Sequence, residues 1–141
     1  MLTPIGLPTG LGRPEKARPI VEDYLARHPT DEGGSLTSVK ALLHANRGDV
    51  AEARAAIARA IELGSGFGHF HHTAYNLAAT HVALGEPDDA VNWIEAAADD
   101  GFPCYPYFAR DPNLDALRAF PRFARLMSQL HEHWRRFKQM P

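Results

Sequence analysis

The sequence has little of what disulfides, sheets and membrane spans require. Its single cysteine, Cys104, leaves the 141 residues without an internal disulfide. Five isoleucines and five valines are few for a chain of this length, and this scarcity disfavours β-strands. No uninterrupted apolar run approaches the roughly 20 residues of a membrane-spanning helix. The formal net charge of -2 excludes an overall basic field for nonspecific nucleic-acid binding.

Alanine is instead the commonest residue, with 22 copies. Alanine is the best helix former, and its small side chain lets helices approach one another closely. Hydrophobic residues make up 45% and charged residues 23% of the chain, as in ordinary globular proteins. We therefore expect one all-α domain. The lone cysteine and the absence of a signal-type apolar segment favour a cytoplasmic location.

A glycine followed five residues later by an alanine occurs three times, at intervals of 36 and 37 residues. The pairs are Gly12 and Ala17, Gly48 and Ala53, and Gly85 and Ala90. Nine residues after each glycine stands a β-branched apolar residue: Val21, Ile57 or Ile94. These spacings place the apolar residues on one face of a helix that follows each glycine.

Each full unit reads as a helix, a glycine turn and a second helix. The pattern predicts helix pairs at 36–48 with 49–63 and at 71–84 with 86–99, preceded by a lone helix at 14–27. Gly48 and Gly85 suit the left-handed residue that ends the first helix of each pair. Pro14 and Pro87 fall in the first turn of a second helix, where proline is tolerated.

The glycine, the small residue five positions later and the apolar residue nine positions later resemble tetratricopeptide (TPR) repeats. That resemblance implies antiparallel helix pairs stacked as a short right-handed superhelix. The string from Asp111 to Phe123 resembles the closing segment of bacterial TPR arrays, which implies a C-terminal capping helix. The expected function is a non-catalytic scaffold or adaptor that binds a peptide or helix in its concave groove.

The predicted domain spans 1–141 and divides at the turns and at changes of pattern. Its parts are an irregular tail (1–11), a half repeat (12–29), two repeats (34–65 and 71–101) and a C-terminal cap (102–141). In TPR superhelices the first helix of each pair lines the groove. When the two repeats are aligned on Gly48 and Gly85, the predicted lining residues are Ser35, Ser38, Val39, Leu42, His72, Tyr75, Asn76 and Ala79.

Tyr75 is the expected anchor of a partner, because aromatic side chains are enriched among binding hot spots. On this interpretation Tyr75→Ala weakens partner binding about thirtyfold, the equivalent of ~2 kcal/mol, and leaves the fold intact. Of the Lys/Arg/Asn clamp that some relatives use for a peptide carboxylate, only Asn76 is present.

The half repeat supports an alternative function, self-assembly into a homodimer. A repeat cannot bury its apolar face alone, and Val21, Tyr24 and Leu25 need a cover. The adjoining repeat, the apolar residues of the tail or a second copy of the chain could supply it. If a second copy does, Tyr24→Asp abolishes association.

A much weaker alternative is a metal-dependent enzyme that uses His69, His71 and His72. On a helix His71 points away from the other two, and zinc needs three or four converging ligands. His44 and His81 occupy equivalent positions, which favours packing over catalysis. The basic, aromatic run from His131 to Lys138 is more typical of a helix whose aromatic edge is packed and whose Arg/Lys edge is solvated. We expect no cofactor, metal, nucleic-acid partner or membrane contact.

The spacing also predicts that Ala53 and Ala90 lie where neighbouring helices come closest. Ala90→Leu should overpack that contact and lower the free energy of unfolding by roughly 1–3 kcal/mol. Thermal unfolding of the variant measures this loss. A melting temperature equal to that of the wild type would show that the packing face is assigned incorrectly.

Overall fold

This computed structural model describes residues 14–101 and 103–140, which are largely helical and contain no strand. The helices in chain order are α1 (Pro14–Arg27), α2 (Ser35–Asn46), α3 (Val50–Gly64), α4 (Phe70–Ala83), α5 (Pro87–Asp99), α6 (Tyr105–Arg110) and α7 (Pro121–Lys138). Short 3-10 helices at Glu32–Gly34 and Pro112–Leu117 precede α2 and α7. The all-α prediction is confirmed. No helix in these residues is both long and apolar enough to cross a membrane.

The two predicted helix pairs are present. Helix α2 packs against α3, α4 packs against α5, and α2 also lies along α4, so the pairs form adjacent layers. The lone helix α1 packs on α2. Ala53 and Ala90 are both fully buried, as the repeat spacing predicts. The predicted tail 1–11 and the first anchor, Gly12, lie outside the described residues, and the division of the chain into repeats and cap stays a prediction.

Both glycine turns have the same backbone geometry. Gly48 and Gly85 take left-handed φ angles of 81° and 75°. In the first turn the backbone N–H of Asp49 donates to the carbonyl of His44 at 2.9 Å, and the second turn makes the equivalent bond. This bond, six residues to one, is the Schellman helix ending, which glycine favours because it has no Cβ to strain a positive φ.

Helix α2 begins at a buried carboxylate that lies before the 3-10 helix. Asp31, with 3% of its surface exposed, accepts hydrogen bonds from the Thr37 backbone N–H at 2.7 Å and the Thr37 hydroxyl at 2.6 Å. The Leu36 N–H donates to its other oxygen at 3.3 Å. A carboxylate at this end of a helix satisfies unpaired amides and interacts favourably with the helix dipole.

The turn between α1 and α2 lies against the end of α3. Gly34 has a φ of 72°, and a Cβ there would lie 2.5 Å from the carbonyl oxygen of Ala60. The Thr73 hydroxyl on α4 donates to the carbonyl of Gly33 at 2.7 Å, and this bond is buried. Gly34 therefore lets the turn approach α3 closely, and the bond from α4 to Gly33 fixes the turn in place.

The C-terminal segments complete the largest hydrophobic core, which α4 and α5 begin. Helix α7 contributes Phe123, Leu126 and Leu130, while α6 and the second 3-10 helix contribute Phe108, Leu114 and Leu117. Arg122 links α7 to α5, because its guanidinium donates hydrogen bonds to the Asp88 carboxylate at 3.3 Å and to the Asn92 side chain. The end of α7 is not part of this core, since Phe137 is 69% exposed.

The two left-handed glycines Gly34 and Gly85 allow a matched test of the close approach at the α3 end. Both have a positive φ, but a Cβ on Gly85 would meet nothing within 4 Å. Gly85→Ala should therefore lose only the backbone preference, about 1–2 kcal/mol. Gly34→Ala should lose about 1–3 kcal/mol more, because it also clashes with backbone. Equal losses on urea unfolding would contradict the close approach at Gly34.

Candidate functional site

The predicted groove residues lie on α2 and α4, and most of them are buried. Six have 2% or less of their surface exposed: Ser38, Val39, Leu42, Tyr75, Asn76 and Ala79. Ser35 is half-buried and His72 is exposed. That a partner binds these eight residues stays a prediction, but they do not form an open groove in this structure.

Tyr75 is covered by the chain's own C-terminal segment. Its ring stacks on Phe108 with centroids 5.3 Å apart and an interplanar angle of 10°, and Tyr107 meets it edge-on at 5.4 Å. The Tyr75 hydroxyl donates a hydrogen bond to Asp111. The expectation that Tyr75 lies outside the helix core is therefore corrected, because Tyr75 belongs to that core. That Tyr75 anchors a partner stays a prediction.

Arg118 holds the covering segment in place. Its guanidinium donates to the backbone carbonyl of Phe108 at 2.9 Å and to that of Asp111 at 3.0 Å. The Asp111 carboxylate also accepts the backbone N–H of Asn113 at 3.0 Å, which begins the second 3-10 helix. Residues 105–118 thus lie across α4 as a fixed part of the fold.

Burial dominates the electrostatics of this contact. Burial raises the pKa of the Asp111 carboxyl, although the hydrogen bond from Tyr75 opposes the shift. Burial and the neighbouring Asp111 charge raise the pKa of Tyr75 well above that of an ordinary tyrosine. The phenol is therefore a hydrogen-bond donor at every physiological pH, which suits a structural contact.

The Asn76 side chain forms a hydrogen bond between the two repeats. Its side-chain amide donates to the Ser38 hydroxyl at 3.0 Å, and this bond is buried. The Ser38 hydroxyl itself donates to the carbonyl of Ser35. In this arrangement Asn76 links α4 to α2, and it does not present its amide to a peptide carboxylate.

His44 and His81 each pair with the carboxylate that follows the glycine turn. His44 Nδ1 lies 3.4 Å from Asp49 Oδ2, and His81 Nδ1 lies 3.1 Å from Glu86 Oε1. The repetition at both turns agrees with the packing interpretation. The sequence analysis missed the carboxylate partners, although their shared spacing of five residues could have shown them.

Glu86 also connects the repeats. Arg54 on α3 donates to both of its carboxylate oxygens, at 3.2 and 3.0 Å. These bonds, together with His81, lower the pKa of the Glu86 carboxyl. Within residues 14–101 and 103–140, one group of side chains could hold a metal ion: His81, Glu86 and Asp89. A cation bound there would have to displace the Arg54 guanidinium from Glu86.

The three histidines at the start of α4 lie in a row. Ring centroids are 5.9 Å apart for His69 and His71, and 4.3 Å apart for His71 and His72. Asp100 accepts the His71 backbone N–H at 2.8 Å, and its Oδ2 lies 3.3 Å from His71 Nδ1. Burial and then the neighbouring imidazoles lower the pKa of His72. Of the three histidines, His71 thus contacts the carboxylate that caps the start of α4.

An open depression of about 530 Å3 lies beside these histidines, between the two repeats. We call it the aromatic depression; it is lined by Ile61, Gly64, Ser65, Gly66, Phe67, Phe70, Trp93 and Asp100. Phe67, Phe70 and Trp93 are each partly exposed. The sequence did not predict this depression, because its walls come from α3, the α3–α4 turn, the start of α4 and the end of α5.

The buried carboxyl of Asp111 predicts a specific pH dependence. Its pKa is raised in the folded chain, so the stability it contributes is greatest below the unfolded pKa of about 3.9 and is lost as pH rises through the folded pKa. Asp111→Asn keeps an acceptor for Tyr75 and removes this titration. Wild-type stability should therefore fall relative to Asp111→Asn as the pH rises from about 4.

Urea unfolding across that pH range measures the difference. Asp99→Asn, which removes an exposed carboxylate on α5, is the control for a general charge effect. A wild-type minus Asp111→Asn difference that stays constant with pH would show that burial does not perturb this carboxyl.

The comparisons with known proteins agree with the helix pairs. The family model of the tetratricopeptide repeat matches residues 34–59 and 71–96, which cover most of α2 with α3 and of α4 with α5. Among curated proteins and solved structures, none matches the chain significantly. Repeats of this family typically form non-catalytic scaffolds and mediate protein–protein interactions. The two matched pairs show that the chain contains tetratricopeptide repeats.

Proposed function

We propose that the chain is a non-catalytic interaction module whose protein partner binds the aromatic depression. The observation that carries this proposal is a contrast between two surfaces. The groove side of α4 is closed by the C-terminal segment, whereas the aromatic depression keeps three partly exposed rings on an open surface.

Binding in the groove would require the C-terminal segment to leave α4. That movement would uncover Phe108, Leu114 and Leu117, which are each 1% exposed or less. Exposing such a side chain loses roughly 1.5–3 kcal/mol, and three of them approach the whole stability of a small domain, about 5–15 kcal/mol. The loss would be subtracted from the binding free energy, and it is comparable to the whole of that term for a micromolar complex, about 8 kcal/mol.

The aromatic depression has the features of a binding hot spot. Trp93 packs against two core clusters, so its ring is held in place before a partner arrives. One is the largest core, and the other is formed by Ala41, Ala56, Ile57, Ala60 and Leu77. Rigid tryptophan and neighbouring apolar surface are typical of the residues that dominate interface energies. Ile61 at the rim is 41% exposed and adds apolar area.

Homodimerisation through α1 is the second candidate, and one observation favours it. Ile20 and Tyr24 are 53% and 37% exposed and stand four residues apart, so they share one face of α1. The other side of α1 is packed, with Ala17 and Val21 buried against α2. The outward face is therefore apolar surface of the kind that pairs with a second copy.

Two variants on α3 separate the depression from other exposed apolar surface. Ile61→Arg places a long cation at the rim, and Val50→Arg makes the same change at a residue that is 46% exposed at the other end of the helix. In affinity capture from source cells, partners quantified by mass spectrometry should be lost with Ile61→Arg and retained with Val50→Arg. Equal recovery with both variants would contradict the proposal.

Solution mass tests the second candidate in the same preparations. Homodimerisation through α1 requires a wild-type mass of two chains and a Tyr24→Asp mass of one chain. A wild-type monomer at every concentration measured would exclude it, and Ile61→Arg should not change the mass in either case.

A further inference from the structure

Two of the rings in the aromatic depression meet at a right-angled corner. The Phe70 and Trp93 centroids are 5.9 Å apart with an interplanar angle of 77°. The Phe70 ring lies against Gly64, at the place that a Cβ would occupy. Because Gly64 admits the ring and Trp93 is anchored in two core clusters, the corner is built before any ligand binds.

The charge in the lining has one sign. Asp100 is the only charged residue among the described residues that line the depression. Its side chain keeps 37% of its surface exposed although Oδ2 accepts the His71 backbone N–H. A carboxylate beside aromatic faces is complementary to a cation, since the face of a ring carries negative potential.

We infer that the aromatic depression binds the guanidinium group of an arginine side chain on the partner protein. This inference rests on the proposed function and specifies what the depression recognises. A guanidinium is planar and weakly hydrated, so it stacks on a ring and donates hydrogen bonds to a carboxylate at the same time. The Trp93 ring and the Asp100 carboxylate offer those two contacts in one site.

Arginine and citrulline derivatives test the inference, because they have nearly the same shape and differ in charge. N-acetyl-arginine amide and N-acetyl-citrulline amide are titrated separately to about 50 mM, above the millimolar dissociation constant expected of one side chain. The readout is the indole N–H resonance of each of the two tryptophans. Both titrations are made at pH 8.

The arginine amide should shift the Trp93 resonance with saturation and leave that of Trp134 on α7 unchanged. The citrulline amide should bind about tenfold more weakly or not at all, as expected when a cation–π contact of moderate strength is removed. Equal shifts from both compounds would show that the site recognises shape alone. No Trp93 shift from the arginine amide would overturn the inference.

Two neighbouring carboxylates provide the matched variants. Asp100→Asn keeps an oxygen for the His71 N–H and removes the charge in the lining, and it should weaken arginine-amide binding about five- to tenfold. Asp99→Asn removes the same charge one residue away, outside the lining, and should have little effect. Equal weakening by both variants would indicate a general field and contradict a built site.

The proposed function and this inference fail in different measurements. Loss of partner capture with Ile61→Arg, together with no arginine-amide binding, would keep the depression as the interaction surface and reject the guanidinium. Arginine-amide binding with undiminished capture by Ile61→Arg would retain the guanidinium site and reject the depression as the partner surface.

Discussion

Helix α4 must be covered on every side, and the rest of the structure follows from that constraint. Every residue from Thr73 to His81 is buried, so the helix has no face that prefers water. Helices α2 and α5 cover two sides of α4, and the segment before α7 covers the side that carries Tyr75. The groove is closed at the second repeat because an exposed Tyr75 and Phe108 would leave the largest core incomplete.

Glycine determines how closely these layers approach. Gly48 and Gly85 reverse the chain within one turn, which holds the helices of each pair side by side. Gly34 and Gly64 serve a different purpose, since they leave room for the Ala60 backbone and the Phe70 ring. Glycine therefore forms the turn within a helix pair at two positions and allows close packing between elements at two others.

Polar side chains connect the repeats after apolar packing has placed them. The Arg54–Glu86 pair joins α3 to the second glycine turn, and the Asn76–Ser38 bond joins α4 to α2. The exposed pair contributes modestly to stability, whereas the buried bond satisfies groups that would be costly to leave unpaired. Between the connected repeats, the rings of Phe67, Phe70 and Trp93 stay partly exposed.

The helix pairs can be predicted from the amino-acid sequence alone, because local spacing carries that information. The distance from Gly85 to Ala90 and Ile94 fixes one helical face whatever packs on it, and the structure places both residues in the core. Only the tertiary structure decided which surface is open. Tyr75 and Asp111 are 36 residues apart, and Phe70 and Trp93 come from different helices. No local period relates such residues, since their contact depends on how the elements fold back on one another.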